Sequence, residues 1–151
     1  LPCSLPNFCV HILQFLSKQQ IFPQTCSYNI KSLRSRKGEQ TRMKNIYGII
    51  RKLGINSTYK GYFFVADAIA LAMNSQEKPI KITKEIYPSL AVKFKTNTLN
   101  IEHNIRTVIN VCWETNRDGL NEIAGFPLVN KPTNSEFIDI LAYYLSSSEE
   151  G

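Results

Sequence analysis

Histidine and cysteine are scarce in this chain: His11 and His103, and Cys3, Cys9, Cys26 and Cys112, form no CxxC pair and no metal-ligand spacing. A bound metal is therefore not expected, because tetrahedral zinc takes its ligands from closely spaced Cys and His pairs. Free thiols point to a reducing, cytoplasmic setting. No His or carboxylate shares a motif with Cys112, so a thiol nucleophile has no support. Long apolar runs are missing too. The longest near the start, Phe8 to Leu16, is interrupted by His11 and Gln14, well short of the roughly 20 residues that cross a bilayer. No basic leader or small-residue cleavage site accompanies it, so neither a signal peptide nor a membrane partner is expected. The seven glycines form no phosphate-cradling loop. With no carboxylate pair and no nucleophile beside a base, an enzyme is not expected, nor is a cofactor. Alternating strand patterns of convincing length are absent as well, which leaves an all-α fold.

What is present is an apolar fraction of 43% in 151 residues, enough for one sizeable core and one domain. The net charge of +6 is unevenly spread. Residues 1–42 hold six basic residues and one acidic, so residues 43–151 carry only +1. Within the latter, Lys78, Lys81, Lys84, Lys93, Lys95 and Arg106 stand against Glu85 and Glu102, whereas residues 107–151 hold two basic and seven acidic residues. A basic patch with an acidic pole elsewhere attracts and orients a protein on phosphates. A solvated charge gradient is the plainer alternative.

The basic patch surrounds the stretch Pro88 to Trp113, which reads as a helix, a tight turn and a longer helix. Pro88 suits a first helical turn. Ala91 is small enough for two helices to cross closely, and Thr96, Asn97 and Thr98 supply turn and N-cap oxygens. In the second helix Ile101, Ile105, Val108, Ile109 and Cys112 recur at three and four and face inward. Asn100, His103, Asn104 and Thr107 fall on the opposite side, with Glu102 and Arg106 beside them, all hydrogen-bonding groups of base-reading types. That face is shaped for the major groove of double-stranded DNA, although any two packed helices give the same spacing and the turn lacks glycine. Lys60, Lys93 and Lys95 are candidate phosphate contacts or solubilising charges. Tyr62, Phe63, Phe64 and Trp113 are expected to fill the core.

Around this unit, Asn45 to Leu53 reads as a short helix stopped by Gly54, and Tyr59 to Asn74 as a central, nearly all-round apolar one. Lys78 to Tyr87 enters through Pro79 and leads to Pro88. Asn116 to Gly119 is expected to break the chain before a short helix, Leu120 to Phe126, closed by Gly125 and Pro127. The last helix begins at Thr133, with Asn134 or Ser135 as cap, Glu136 in its first turn and Phe137, Ile140, Leu141 and Tyr144 as its buried stripe. Residues 147–151 are expected to fray.

Several blocks in order resemble one family: LGI at 53–55, KGY at 60–62, AI at 68–69, ITK at 82–84, YP at 87–88, IR at 105–106, Trp113, and KPTNSEFI from Lys131 to Ile138. Residues 43–146 are similar to the C-terminal DNA-binding domain of stage-zero sporulation protein A, the response regulator that starts endospore formation. The resemblance implies a compact bundle of about six helices containing a helix-turn-helix. It also implies a transcriptional regulator, commonly a homodimer on tandem sites and working beside RNA polymerase. In the family the probe helix runs serine, arginine, valine, glutamate, arginine, alanine, isoleucine, arginine; here it runs from Leu99 to Arg106. Glu102 and Arg106 match, so the resemblance gives them base or phosphate contacts; Asn100, His103, Asn104 and Thr107, on the same face by spacing, and Thr98 at the turn complete the expected DNA-facing set. Asn100 and His103 replace two arginines, so either the target differs or the affinity is lower. Weakened DNA binding would leave a protein-interaction module or competitor on the same fold.

Residues 1–42 have three prolines before a basic polar run, and little stable structure is expected there. Met43 follows a stretch whose codons for Lys37, Gly38 and Glu39 fit a ribosome-binding site. The segment therefore reads as translated leader with a natural start at Met43, or else as a basic arm that helps hold DNA. Asp67, Asp118 and Asp139 are the aspartates of the sequence and none has a receiver-like setting, so control by aspartyl phosphorylation within these residues is not expected.

Overall fold

Thirty residues into the chain a helix starts that the polar sequence hid. A computed structural model describes residues 30–75 and 81–149, with side chains from residue 36 onward. The expectations that concern residues 1–29, 76–80 and 150–151 lie outside them. The chain divides into two units, 1–37 and 38–151; the described part of the first is helical backbone alone. Helix α1 spans Ile30–Lys52, so residues 30–42 are helical rather than unstructured, and Met43 lies inside a helix rather than at its start. Lysine, arginine, glutamine and glutamate lose little rotamer freedom in a helix, which explains why this run continues one without an apolar period. Within the second unit the Arg42 guanidinium donates to Asn74 at 2.9 Å and meets Glu149 at 3.3 Å.

The end of α1 is set by Gly54, at φ +85°. Its N–H donates to the Arg51 carbonyl and that of Ile55 to the Ile50 carbonyl, the double closure that uses a left-handed residue just past a helix. Ile46, Ile50, Leu53 and Ile55 are buried. Helix α2, Lys60–Asn74, runs through the centre of the core with Tyr62, Phe64, Val65, Ala66, Ala68, Ile69 and Ala72 buried. Phe63, expected inside, is 43% exposed because α2 still keeps one narrow outward stripe.

A π-helical turn, Ile82–Ile86, leads directly into α3, Tyr87–Lys93, and α4 spans Thr98–Thr115. Helix α5, Arg117–Ala124, starts where a break was expected: the Asn116 side chain accepts from the Gly119 N–H, so one residue ends α4 and caps α5. Gly125, at φ +80°, closes it. Helix α6 spans Asn134–Glu149, so the expected fraying at 147 does not occur; Ser147 and Ser148 hydroxyls donate back to Tyr143 and Leu145 carbonyls. Leu145, rather than the exposed Tyr144, completes its buried stripe. The Glu136 carboxylate accepts from the Thr133 N–H and hydroxyl at 2.8 and 2.9 Å, a capping box. Those bonds hold Glu136 below the usual carboxylate range. The contribution is therefore present above the ordinary glutamate pKa and is lost as pH falls through the lowered one.

Six α-helices and no strand make up the described residues, the all-α bundle expected from the sequence. Helices α2 and α4 cross in close contact. A Cβ on Gly61 would lie 2.3 Å from the Asn104 carbonyl oxygen and 2.6 Å from a Val108 methyl, so two backbones touch where no side chain fits. Replacing Gly61 by alanine must push α4 outward. We expect Gly61→Ala to cost about 3 kcal/mol, the upper end for overpacking, read as a lower urea midpoint of the full chain.

Candidate nucleic-acid interface

Helices α3 and α4 enclose the turn that sets the interface. The N–H of Thr96 donates to the Ala91 carbonyl at 2.9 Å and that of Lys95 to Val92 at 3.3 Å. Lys95 takes φ +52°: it occupies the left-handed position in which such turns favour glycine. Asn97 then caps α4, its side-chain oxygen accepting from the Asn100 N–H at 2.7 Å. Phe94 closes the turn from inside with its ring edge on Phe64. A helix-turn-helix is thus built without the glycine.

The apolar stripe of α4 lies where the sequence puts it, with Ile101, Ile105, Val108, Ile109 and Cys112 all buried. Burial pushes the Cys112 thiol up to about 11, so it stays protonated at neutral pH and is a poor nucleophile. On the other side Thr98, Leu99, Asn100, His103 and Arg106 are exposed. Asn104 and Thr107 sit off the centre of that face, half-buried; α2 crosses at Asn104, whose backbone meets Gly61. Local hydrogen bonds fix most of these groups. The Asn100 amide donates to the Thr96 hydroxyl at 2.7 Å, Asn104 donates to the Asn100 side-chain oxygen at 2.8 Å, and Thr107 donates to the His103 carbonyl at 3.0 Å. Arg106 and Glu102 form an ion pair one turn apart.

The three candidate lysines differ. Lys60 opens α2 and Lys95 sits in the turn, both exposed. Lys93 is engaged by Asp67 of α2 at 2.7 Å, so its charge is shared with a carboxylate that the spacing gave no reason to place there.

A second set of residues joins the site in a way the sequence did not indicate: Asn134 and Ser135, expected only as helix caps, and Tyr87 and Lys131 of the YP and KPTNSEFI blocks. The Asn134 amide donates to the Tyr87 hydroxyl at 2.8 Å and to the Glu102 carbonyl at 3.2 Å. It joins the start of α6 to both helices of the helix-turn-helix. Lys131 donates to the Asn110 side chain at 2.7 Å. An open groove results beside the exposed face, lined by Tyr87, Glu102, Arg106, Lys131, Thr133 and Ser135. The described residues hold no cluster of ligands for a metal ion, and none of their helices is long and apolar enough to cross a membrane.

Compared with known protein families, residues 46–145 match the one described as sporulation initiation factor Spo0A C terminal. The match covers α2 to α5, most of α6 and the last part of α1. It contains the helix-turn-helix and the Asn134 bridge.

Two substitutions probe this geometry. Lys95→Gly removes a left-handed side chain and is expected to raise stability by about 1 kcal/mol, seen as a higher melting temperature. Asn134→Ala removes the donor to both the Tyr87 hydroxyl and the Glu102 carbonyl; a loss of about 1–3 kcal/mol is expected in urea unfolding.

Proposed function

The chain belongs to the Spo0A C-terminal family, and from that membership together with the face of α4 we propose that it is a sequence-specific DNA-binding regulator of transcription. The observation that carries this reading is the division of α4. One side is sealed in the core and the other offers Asn100, Glu102, His103 and Arg106 to a groove. In this reading the N-terminal half of α4 enters the major groove and Arg106 forks onto guanine or phosphate. Asn100 pairs with adenine, while Lys60 and Lys95 meet the phosphates on either side. Pairing of subunits on tandem sites and contact with RNA polymerase belong to the same proposal.

Asn100 and His103 stand where the family pattern carries arginine, so the preferred sequence is the chain's own. Selection of DNA by the full chain from a random pool tests this: enrichment of a defined sequence is expected. Arg106→Ala should then weaken binding to that sequence by about 1–3 kcal/mol while unfolding is unchanged, since the side chain leaves no cavity. Affinity should also fall steeply with salt, as phosphate contacts demand. A chain that enriches no sequence and whose partners bind equally at all salt concentrations is a protein-interaction module instead.

A further inference from the structure

Leu99 lies on the wrong side of α4 for an apolar residue. Its side chain is 75% exposed, in the second residue of the helix, while the other exposed residues of the first three turns are Thr98, Asn100, His103 and Arg106. A single exposed leucine is ordinary on a protein surface. This one sits amid groups that can all hydrogen-bond, at the end of the helix that a groove would admit first, and where the family pattern has serine. Val92, in the last turn of α3 across the tight turn, is 77% exposed as well. The surroundings define what can cover them. Lys95, in the turn four residues before Leu99, is exposed and brings a polyanion-attracting charge to the start of α4, which an apolar protein partner would have to desolvate.

We propose that Leu99 is a specificity-determining residue that reads the 5-methyl group of thymine in the major groove. This rests on the proposed DNA-binding role and adds to it a base that α4 selects without a hydrogen bond. The physical case is short. Major-groove edges present donors, acceptors and one apolar group, the thymine methyl. A leucine pressed against a donor or acceptor strips it of water with no return, so Leu99 favours the base with the largest apolar group on that edge, thymine with its methyl, over cytosine with only a C5–H. Asn100 next to it prefers adenine, so the two neighbours together favour an A·T-containing step.

The test starts from the DNA that the full chain enriches from a random pool. Each thymine of that site is replaced in turn by deoxyuridine, which differs by the 5-methyl alone, and affinity is measured at one salt concentration. For the native chain one position is expected to lose about fourfold, the value of one buried methyl. Leu99→Ala should bind with thymine and uracil indistinguishable at that position, and Leu99→Ile should keep the difference. The proposal is overturned if Leu99→Ala retains the native discrimination, or if no thymine in the site responds. A pool from which nothing is enriched removes the DNA-binding role itself, a failure recognised before any uracil is introduced.

Discussion

The backbone contact between α2 and α4 governs where every other group of the interface lies. Gly61 lets the Asn104 carbonyl approach so closely that no Cβ fits between them. Van der Waals repulsion rises far more steeply than any attraction that would oppose it, so this crossing fixes the height of α4 above the core. Apolar burial then fixes its rotation. Five side chains from Ile101 to Cys112 are withdrawn from water, each full burial favourable by about 1.5–3 kcal/mol, and turning the helix to hide Asn100 or Arg106 would expose several of them. Height and rotation together leave the first three turns of one face open.

Position along the axis is set by polar contacts at the helix ends. Asn97 holds the first turn from below and Asn134 grips the Glu102 carbonyl from the side. Tyr87 accepts from the same Asn134 amide, so a shift of α3 relative to α4 breaks a bond in either direction. The capping box of Thr133 and Glu136 stiffens the end of α6 from which that amide extends. The KPTNSEFI block thus joins a cap, a bridge and the buried Phe137 and Ile138 in eight residues, which gives a physical reason for its place in the resemblance.

The elements that could be read from the chain were those with a local period. The stripe of α4, a cap within Thr96 to Thr98 and the closing glycines at 54 and 125 depend on residues at most a few places apart and are legible in the chain; that Asn97 is the one that caps is shown by its bond to the Asn100 N–H. Other features were not readable because their partners are distant. Asn134 and Tyr87 are 47 residues apart and Arg42 and Glu149 are 107 apart, and no pattern in either segment announces the other. The length of α1 was hidden for a different reason. Its first half has no apolar stripe, so a reading based on burial found nothing there although the backbone propensities allow a helix. Among the site residues, Lys93 and Asn104 had the right chemistry and spacing, yet Asp67 engages one and the other is half-buried where α2 crosses. Exposure on a helical wheel says nothing about the neighbour that arrives from another helix.

The internal hydrogen bonds of the exposed face raise the question of whether its groups are already spent. Asn100 carries two N–H donors and an oxygen with two lone pairs. Thr96 uses one donor and Asn104 one lone pair, so one of each remains, which is the pair that the major-groove edge of adenine requires. The same two bonds distinguish the amide oxygen from the nitrogen and hold the rotamer. Little conformational entropy is then left to lose on contact, and preorganisation of this kind raises affinity by lowering that cost. Arg106 is held in the opposite sense. Its pairing with Glu102 lowers its attraction for any phosphate, so binding must exchange one charge-assisted bond for another and gains only the difference. A G·C pair, which offers the guanine acceptors to Arg106 and the cytosine amino donor to Glu102, satisfies both ends of the broken pair. In the proposed DNA-binding role, the ion pair therefore weakens indiscriminate binding more than selective binding.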